Sequence, residues 1–173
     1  MGRLEGRKVL FLVENGYEDL ECWYPKIRIE EEGGTTVVAS NDVGTYESKH
    51  GYPIKATKKA SEVQTENYDA LVIPGGTSAP DRLRTYPDVL ELVRQINDQE
   101  KIIAFICHGG WVPISAGIVS GKKITGYKAI KDDIKNAGGT YLDQSVVTDK
   151  NLISSRHPGD LPDFCKTLID KVS

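Results

Sequence analysis

Four apolar runs punctuate the chain: KVLFLV at Lys8–Val13, TTVVAS at Thr35–Ser40, DALVIP at Asp69–Pro74 and KIIAFI at Lys101–Ile106. They are continuous and rich in β-branched and aromatic residues, not alternating, which is the pattern of strands buried on both faces. Between them the period becomes helical. Leu20, Trp23 and Ile27 share one face before Gly33-Gly34 stops the helix, and Val89, Leu92, Val93 and Ile96 make a second stripe after Pro87. This alternation predicts an α/β fold with a mainly parallel central sheet, helices on both faces and right-handed crossovers. Function is then expected at the carboxyl ends of the strands. Between Val43 and Thr57 the sequence turns polar and Gly-punctuated, with short alternating pieces around Tyr46 and Ile54, which predicts a β-hairpin outside the main sheet. At the other end Asp160 is a suitable N-cap and Pro162 falls in the first turn. Leu161, Phe164, Cys165, Leu168, Ile169 and Val172 then follow helical spacing, so a docked amphipathic helix is expected.

The chain has 173 residues, 39% hydrophobic and 27% charged, without repeat, linker or low-complexity tract, and reads as one domain over residues 1–173. A domain of this size buries ~70% of its unfolded surface and needs no disulfide or structural metal to complete its core. The three cysteines, Cys22, Cys107 and Cys165, stand far apart with no CxxC, which excludes a disulfide framework and a Cys-rich metal site. No metal or cofactor is expected. A net charge of −3 argues against a nucleic-acid partner. The apolar runs are far shorter than the ~20 residues that span a bilayer, and the start, MGRLEGRK, has too short an apolar run after it for a signal peptide, so a cytoplasmic protein is expected.

The most informative segment is AFICHGGW, Ala104–Trp111. A buried strand followed by Cys-His-Gly-Gly and a helix-compatible run describes a strand-to-helix elbow with Cys107 at its tip. Such a turn strains the tip residue and aims the following amides at it, so a thiol of lowered pKa is expected. Cys22 and Cys165 lie within helical patterns and are assigned to packing. His108 is the leading base by position. A second strand end, Pro74-Gly75-Gly76, allows close backbone approach and offers free amides for an oxyanion. After the first strand, VENGYEDLE brings Glu14, Glu18 and Asp19 to the same edge. A capping or dipole role suffices for Asp19 and Glu21, and Glu18 is the site candidate, a carboxylic acid able to exchange a proton with the thiol. The pair Asp132-Asp133 is assigned to a solvated helix face.

The ordered motifs GYEDLECWYP, KHGYPI, DALVIPGG, APDRLR, ICHGGW, IKDDIKNAGGTY and SSRHPGDLPDF resemble the ThiJ/PfpI superfamily, in particular its PfpI-type intracellular protease and glyoxalase/deglycase branch, from Lys8 to about Asp170. The resemblance implies a flavodoxin-like three-layer sandwich and homo-oligomers, dimers or hexamers. It also implies Cys107 as nucleophile, Glu18 as its acid, His108 as the adjacent base, and the backbone of Gly76 and His108 as oxyanion donors. Relatives orient that His with a Glu from a neighbouring subunit. Asp81 holds the matching place, one methylene shorter. Gly110 stands where many relatives have Pro.

The implied chemistry is thiolate attack on a carbonyl, of either a small aldehyde such as methylglyoxal and its adducts or a peptide. Two other readings stand beside it. A thiol-based oxidative-stress sensor or holding chaperone would use the same Cys107. A glutamine amidotransferase would need an acid after Arg156-His157-Pro158, where Gly159 stands instead, and His157 reads as a loop residue near the last helix cap.

Overall fold

The computed structural model describes residues 2–173. Strands β1 (Lys8–Leu12), β2 (Thr35–Ser40), β3 (Gly44–Glu47), β4 (Pro53–Ala56) and β5 (Lys58–Lys59) occupy the first third, with helix α1 (Asp19–Glu31) between β1 and β2. Strand β6 (Ala70–Ile73), helices α2 (Ser78–Leu83) and α3 (Pro87–Asp98), strand β7 (Ile102–Ile106) and helix α4 (Trp111–Ala116) follow. The last third holds β8 (Lys123–Ile124), α5 (Lys131–Asn136), β9 (Thr140–Tyr141), β10 (Val146–Asp149), β11 (Leu152–Ser155) and α6 (Leu161–Val172).

The main sheet has the order β10-β11-β7-β6-β1-β2-β5, with every pair parallel except β10 against β11. Helices cover both faces, as the continuous apolar runs require. Along β1, Val9 and Phe11 join a core with Cys22, Ile29, Phe164 and Leu168, while Leu10 and Leu12 join the opposite one with Leu92, Val93 and Val112. The sheet is thus the middle layer of a three-layer sandwich of flavodoxin-like class. The order reverses at β1, whose neighbours are β2 on one side and β6 on the other, leaving a crevice at their carboxyl ends. Strands β3 and β4 form the expected antiparallel hairpin outside the sheet. Among the described residues no helix is long and apolar enough to cross a membrane.

Three expectations need correction. The apolar stripe of α1 faces outward: Leu20 is 56% and Ile27 50% exposed, and the helix instead buries Glu21, Cys22, Pro25 and Ile29. The buried set has i, i+4, i+8 spacing (Glu21, Pro25, Ile29) and meets α6, whose Phe164 and Leu168 share its core. Asp160 precedes α6 but does not cap it with its side chain. Its carboxylate accepts from the Arg156 backbone N (3.0 Å), Nε (2.9 Å) and Nη2 (3.0 Å). Asp133 is not simply solvated, since it accepts from Trp111 Nε1 at 3.0 Å.

The β10–β11 hairpin was absent from the apolar pattern because its inner strand, LISS, is half serine. Those serines are buried with their hydroxyls satisfied: Ser154 Oγ accepts from Thr125 N (2.9 Å) and Ser155 Oγ donates to Ser145 O (2.7 Å). Helix α6 is held mainly by its apolar face. Truncating the fully buried Phe164 to Ala is expected to cost about 3–5 kcal/mol, read as a lower urea midpoint at unchanged m-value; a loss under 1 kcal/mol would mean that α6 is not part of the cooperative core.

Candidate active site

Strand β7 ends at Ile106 in extended conformation (φ −137°, ψ 146°) and the chain turns through Cys107 at φ 60° into a 3₁₀ turn, Cys107–Gly110, that runs on into α4. A positive φ is strained for a residue with a Cβ. The surroundings enforce it. A Cβ at Gly109 would stand 2.6 Å from Ile73 O and 3.0 Å from Pro74 O, so only glycine lets the turn pack against the end of β6. Gly76 (φ 89°) is equally enclosed, since a side chain there would collide with the Gly16 carbonyl and stand 2.8 Å from Glu18 N. The ends of β1, β6 and β7 therefore meet backbone to backbone around one thiol.

Cys107 is 8% exposed. The carboxyl beside it belongs to Glu21, not Glu18. Glu18 is the N-cap of α1, its Oε2 accepting from Glu21 N at 2.9 Å, while Glu21 lies fully buried with Oε2 accepting from Gly75 N at 2.8 Å. A methyl group on Gly75 would collide with Glu21 Oε2 and stand 2.8 Å from Cys107 Cβ, so both side chains crowd the same glycine. The other carboxyl oxygen, Oε1, is buried without a hydrogen-bond partner, the position in which an acidic proton is retained. The sequence signal for Glu21 was its place four and eight residues before Pro25 and Ile29. An acid on a buried stripe needs a partner or a proton.

Burial is the main cause that pushes Glu21 up to about 8, followed by the nearby Glu18 charge; the Gly75 amide opposes the rise. Burial, then the Glu21 charge, pushes the Cys107 thiol up as well, and the His108 backbone amide works against it. The expected lowering of the thiol pKa is therefore not what this environment produces. The elbow amide helps, but desolvation and an adjacent carboxylate outweigh it. Glu21 and Cys107 behave as a coupled pair that resists carrying two negative charges, so the thiolate form is compatible with a protonated Glu21.

His108 turns toward the thiol, with Nδ1 3.3 Å from Cys107 Sγ. Its ring lies between Trp111 (centroids 5.0 Å apart, planes at 65°) and Tyr127 (4.9 Å, 32°). Burial first, and the Lys49 charge second, lower its pKa, so the imidazole is neutral at pH 7. Among the described residues no carboxylate hydrogen-bonds His108. Asp81 is exposed in the first turn of α2 and makes no hydrogen bond to His108. His157 is an exposed turn residue whose Nδ1 accepts from Gly159 N at 3.2 Å. Cys22 and Cys165 are buried in the core with their thiols pushed up by desolvation. The Gly76 amide makes no hydrogen bond among the described residues, and the His108 amide points to the Cys107 sulfur.

The model of the DJ-1/PfpI family matches residues 7–171. The chain belongs to that family. It is 46% identical over 154 residues to "Deglycase PfpI" of Pyrococcus furiosus, covering 89% of this chain and 92% of that one. It is 38% identical to "Putative cysteine protease YraA" of Bacillus subtilis, over 91% and 94%. Among solved structures, a two-domain protein of Anabaena variabilis with DJ-1/ThiJ/PfpI-like and ferritin-like domains superposes with a TM-score of 0.94 at 37% identity; the match covers 96% of this chain and 48% of that one.

The Glu21 environment gives a signed pH dependence. The unfolded chain releases the Glu21 proton near 4.5 and the folded chain near 8, so between those values the unfolded state binds fewer protons and stability falls as pH rises. Glu21→Gln removes this slope, at most about 1.4 kcal/mol per pH unit. Urea midpoints at pH 5 and pH 8 are expected to favour the variant increasingly at the higher pH; parallel curves would place the Glu21 ionisation outside this window.

Proposed function

We propose that this chain is a cysteine enzyme of reactive carbonyls, acting on methylglyoxal-type dicarbonyls and their early adducts. The observation that carries the reading is the Cys107 thiol, held at a strained elbow with His108 Nδ1 at 3.3 Å and a buried, protonatable Glu21 beside it. Addition of a thiolate to an aldehyde needs a nucleophile, an acid for the new alkoxide and little else. Cys107 attacks the aldehyde carbon as the thiol proton moves to Glu21 and the Glu21 proton passes to the carbonyl oxygen, and the Gly76 and His108 amides hold the charge that develops there. For methylglyoxal the product is a hemithioacetal. Moving the C1 proton to C2 and the C1 hydroxyl proton to the C2 oxygen gives a lactoyl thioester, and water then releases lactate and restores the thiol. Neutral His108 is the group positioned to carry the C1 proton. The name of the Pyrococcus relative supports this reading.

Peptide hydrolysis is the second reading, favoured by the name of the Bacillus relative and by His108 Nδ1, which could protonate a leaving amine. Glu18 enters both readings as the cap that fixes the first turn of α1 and so the position of Glu21. Asp81, on the surface of α2, is free to meet the His108 of a second copy. The exposed apolar face of α1, Leu20, Tyr24 and Ile27, with Tyr52 of the adjoining loop, is the surface we assign to self-association into a dimer. Three unpaired cysteines suit a reducing, cytoplasmic setting.

Methylglyoxal consumption is expected to fall on the order of 10³-fold or more in Cys107→Ser and about 10²-fold or more in Glu21→Ala, with Glu18→Ala milder than Glu21→Ala. Unchanged turnover in Cys107→Ser for both dicarbonyl and peptide substrates would overturn the enzyme reading and favour a redox-sensing thiol. Leu20→Glu combined with Ile27→Glu is expected to give a monomer by light scattering at unchanged helix content. A variant that stays dimeric would put the interface elsewhere.

A further inference from the structure

Lys49 belongs to the KHGYPI segment, a motif that the chemistry above leaves unused. Its neighbours are fixed. Lys49 N donates to Tyr17 O at 2.7 Å, Ser48 forms an isolated parallel bridge with Tyr17, and Ser48 Oγ donates to Asp19 while accepting from His50 N and Tyr52 N. His50 spends its ring on Asp19, with Nδ1 2.8 Å from Oδ1. The Lys49 ammonium, by contrast, makes no hydrogen bond or ion pair among the described residues, although eleven ion pairs are formed elsewhere.

This unpaired cation lines a cavity of about 460 Å³ together with Gly16, Thr77, Ser78, Asp81 and Trp111. Two of those residues connect the cavity to the reaction site. Gly16 is the residue against which Gly76 packs, and Trp111 is one wall of His108. The Lys49 charge also reaches the reacting groups, working against the rise at Glu21 and adding to the fall at His108. Thr77 supplies a hydroxyl at the start of α2, while the Ser78 hydroxyl beside it donates to Asn15 O at 3.4 Å. Asp81, on the same lining, disfavours a dianion such as phosphate more than a monoanion.

We propose that this cavity is a carboxylate subsite and that Lys49 is its recognition residue, so that the preferred substrates are small carbonyl compounds carrying a carboxylate close to the reactive carbon. The carboxylate lies against Lys49 Nζ and the Thr77 hydroxyl, with the carbonyl directed to Cys107. The inference deepens the carbonyl-enzyme reading and rests on it for the word substrate, but the anion preference of the cavity is measurable without turnover.

The test is alkylation of Cys107 by two probes of nearly equal size, anionic iodoacetate and neutral iodoacetamide. In both reactions the Cys107 sulfur forms a bond to carbon as iodide leaves, so the ratio of their rates cancels any change in thiolate fraction. Cys22→Ala and Cys165→Ala in the background, with mass spectrometry of the Cys107 peptide, restrict the reading to one thiol. Lys49→Gln is expected to lower the iodoacetate-to-iodoacetamide ratio about fivefold, Lys49→Arg to restore most of it, and added salt to lower it in the parent protein but not in Lys49→Gln. A ratio that is unchanged in Lys49→Gln would overturn the proposal, whatever the enzyme does. The substrate arm compares glyoxylate with glyoxal: kcat/KM for glyoxylate is expected to fall selectively in Lys49→Gln. A shifted alkylation ratio without turnover of either aldehyde would retain the anion subsite and reject the carbonyl-enzyme reading.

Discussion

The close packing of the turn after β7 onto the end of β6 is the constraint on which the site depends. Gly109 lets its backbone approach the Ile73 and Pro74 carbonyls more closely than any Cβ would allow, and Cys107 holds a positive φ where the chain makes that approach. From this single contact follow the direction of the thiol, the nearness of His108 Nδ1 and the exposure of amides to whatever adds at the sulfur. Gly75 and Gly76 extend the same contact to α1 and the loop after β1. The strain is sustained by two cores, one on each face of the sheet, that hold the three strand ends in register.

The second element is a carboxyl placed where water cannot reach it. Glu21 has one backbone amide for one oxygen and nothing for the other. Such a group is costly to ionise, and the cost is what keeps a proton available at neutral pH. Glu18 and Glu21 are three residues apart on one helix but perform opposite tasks. One is spent on the free amides at the helix start, and the other is turned inward by the helical rotation between them.

Much of this was legible in the sequence. The four apolar runs coincide with β1, β2, β6 and β7, because strands buried on both faces leave no polar positions to confuse the pattern. The elbow was legible because two glycines after a Cys at a strand end have few other uses. The orientation of α1 was not, because the helix has two apolar faces and the stripe with larger side chains is the one left uncovered in the single chain. Hydrophobic period identifies a face but not what covers it. The acid was misassigned because a capping or dipole role at the helix start sufficed for Glu21, whereas in the fold Glu18 is the cap and Glu21 is buried. The β10–β11 pair escaped notice because hydrogen bonding, not apolar content, allows Ser154 and Ser155 to be buried.

The two tryptophans divide the molecule optically. Trp23 sits edge-on to Tyr52 at 5.1 Å, on the uncovered face of α1, with Nε1 donating to Tyr17 Oη at 3.1 Å. Trp111 is 5.0 Å from the His108 ring and tethered to Asp133. Each indole therefore reports on a different event: the emission of Trp23 on burial of the helix face, and that of Trp111 on the charge of the imidazole beside it. With only two in the chain, replacing either one by Phe leaves a protein whose intrinsic fluorescence follows assembly or site chemistry alone, without an added label.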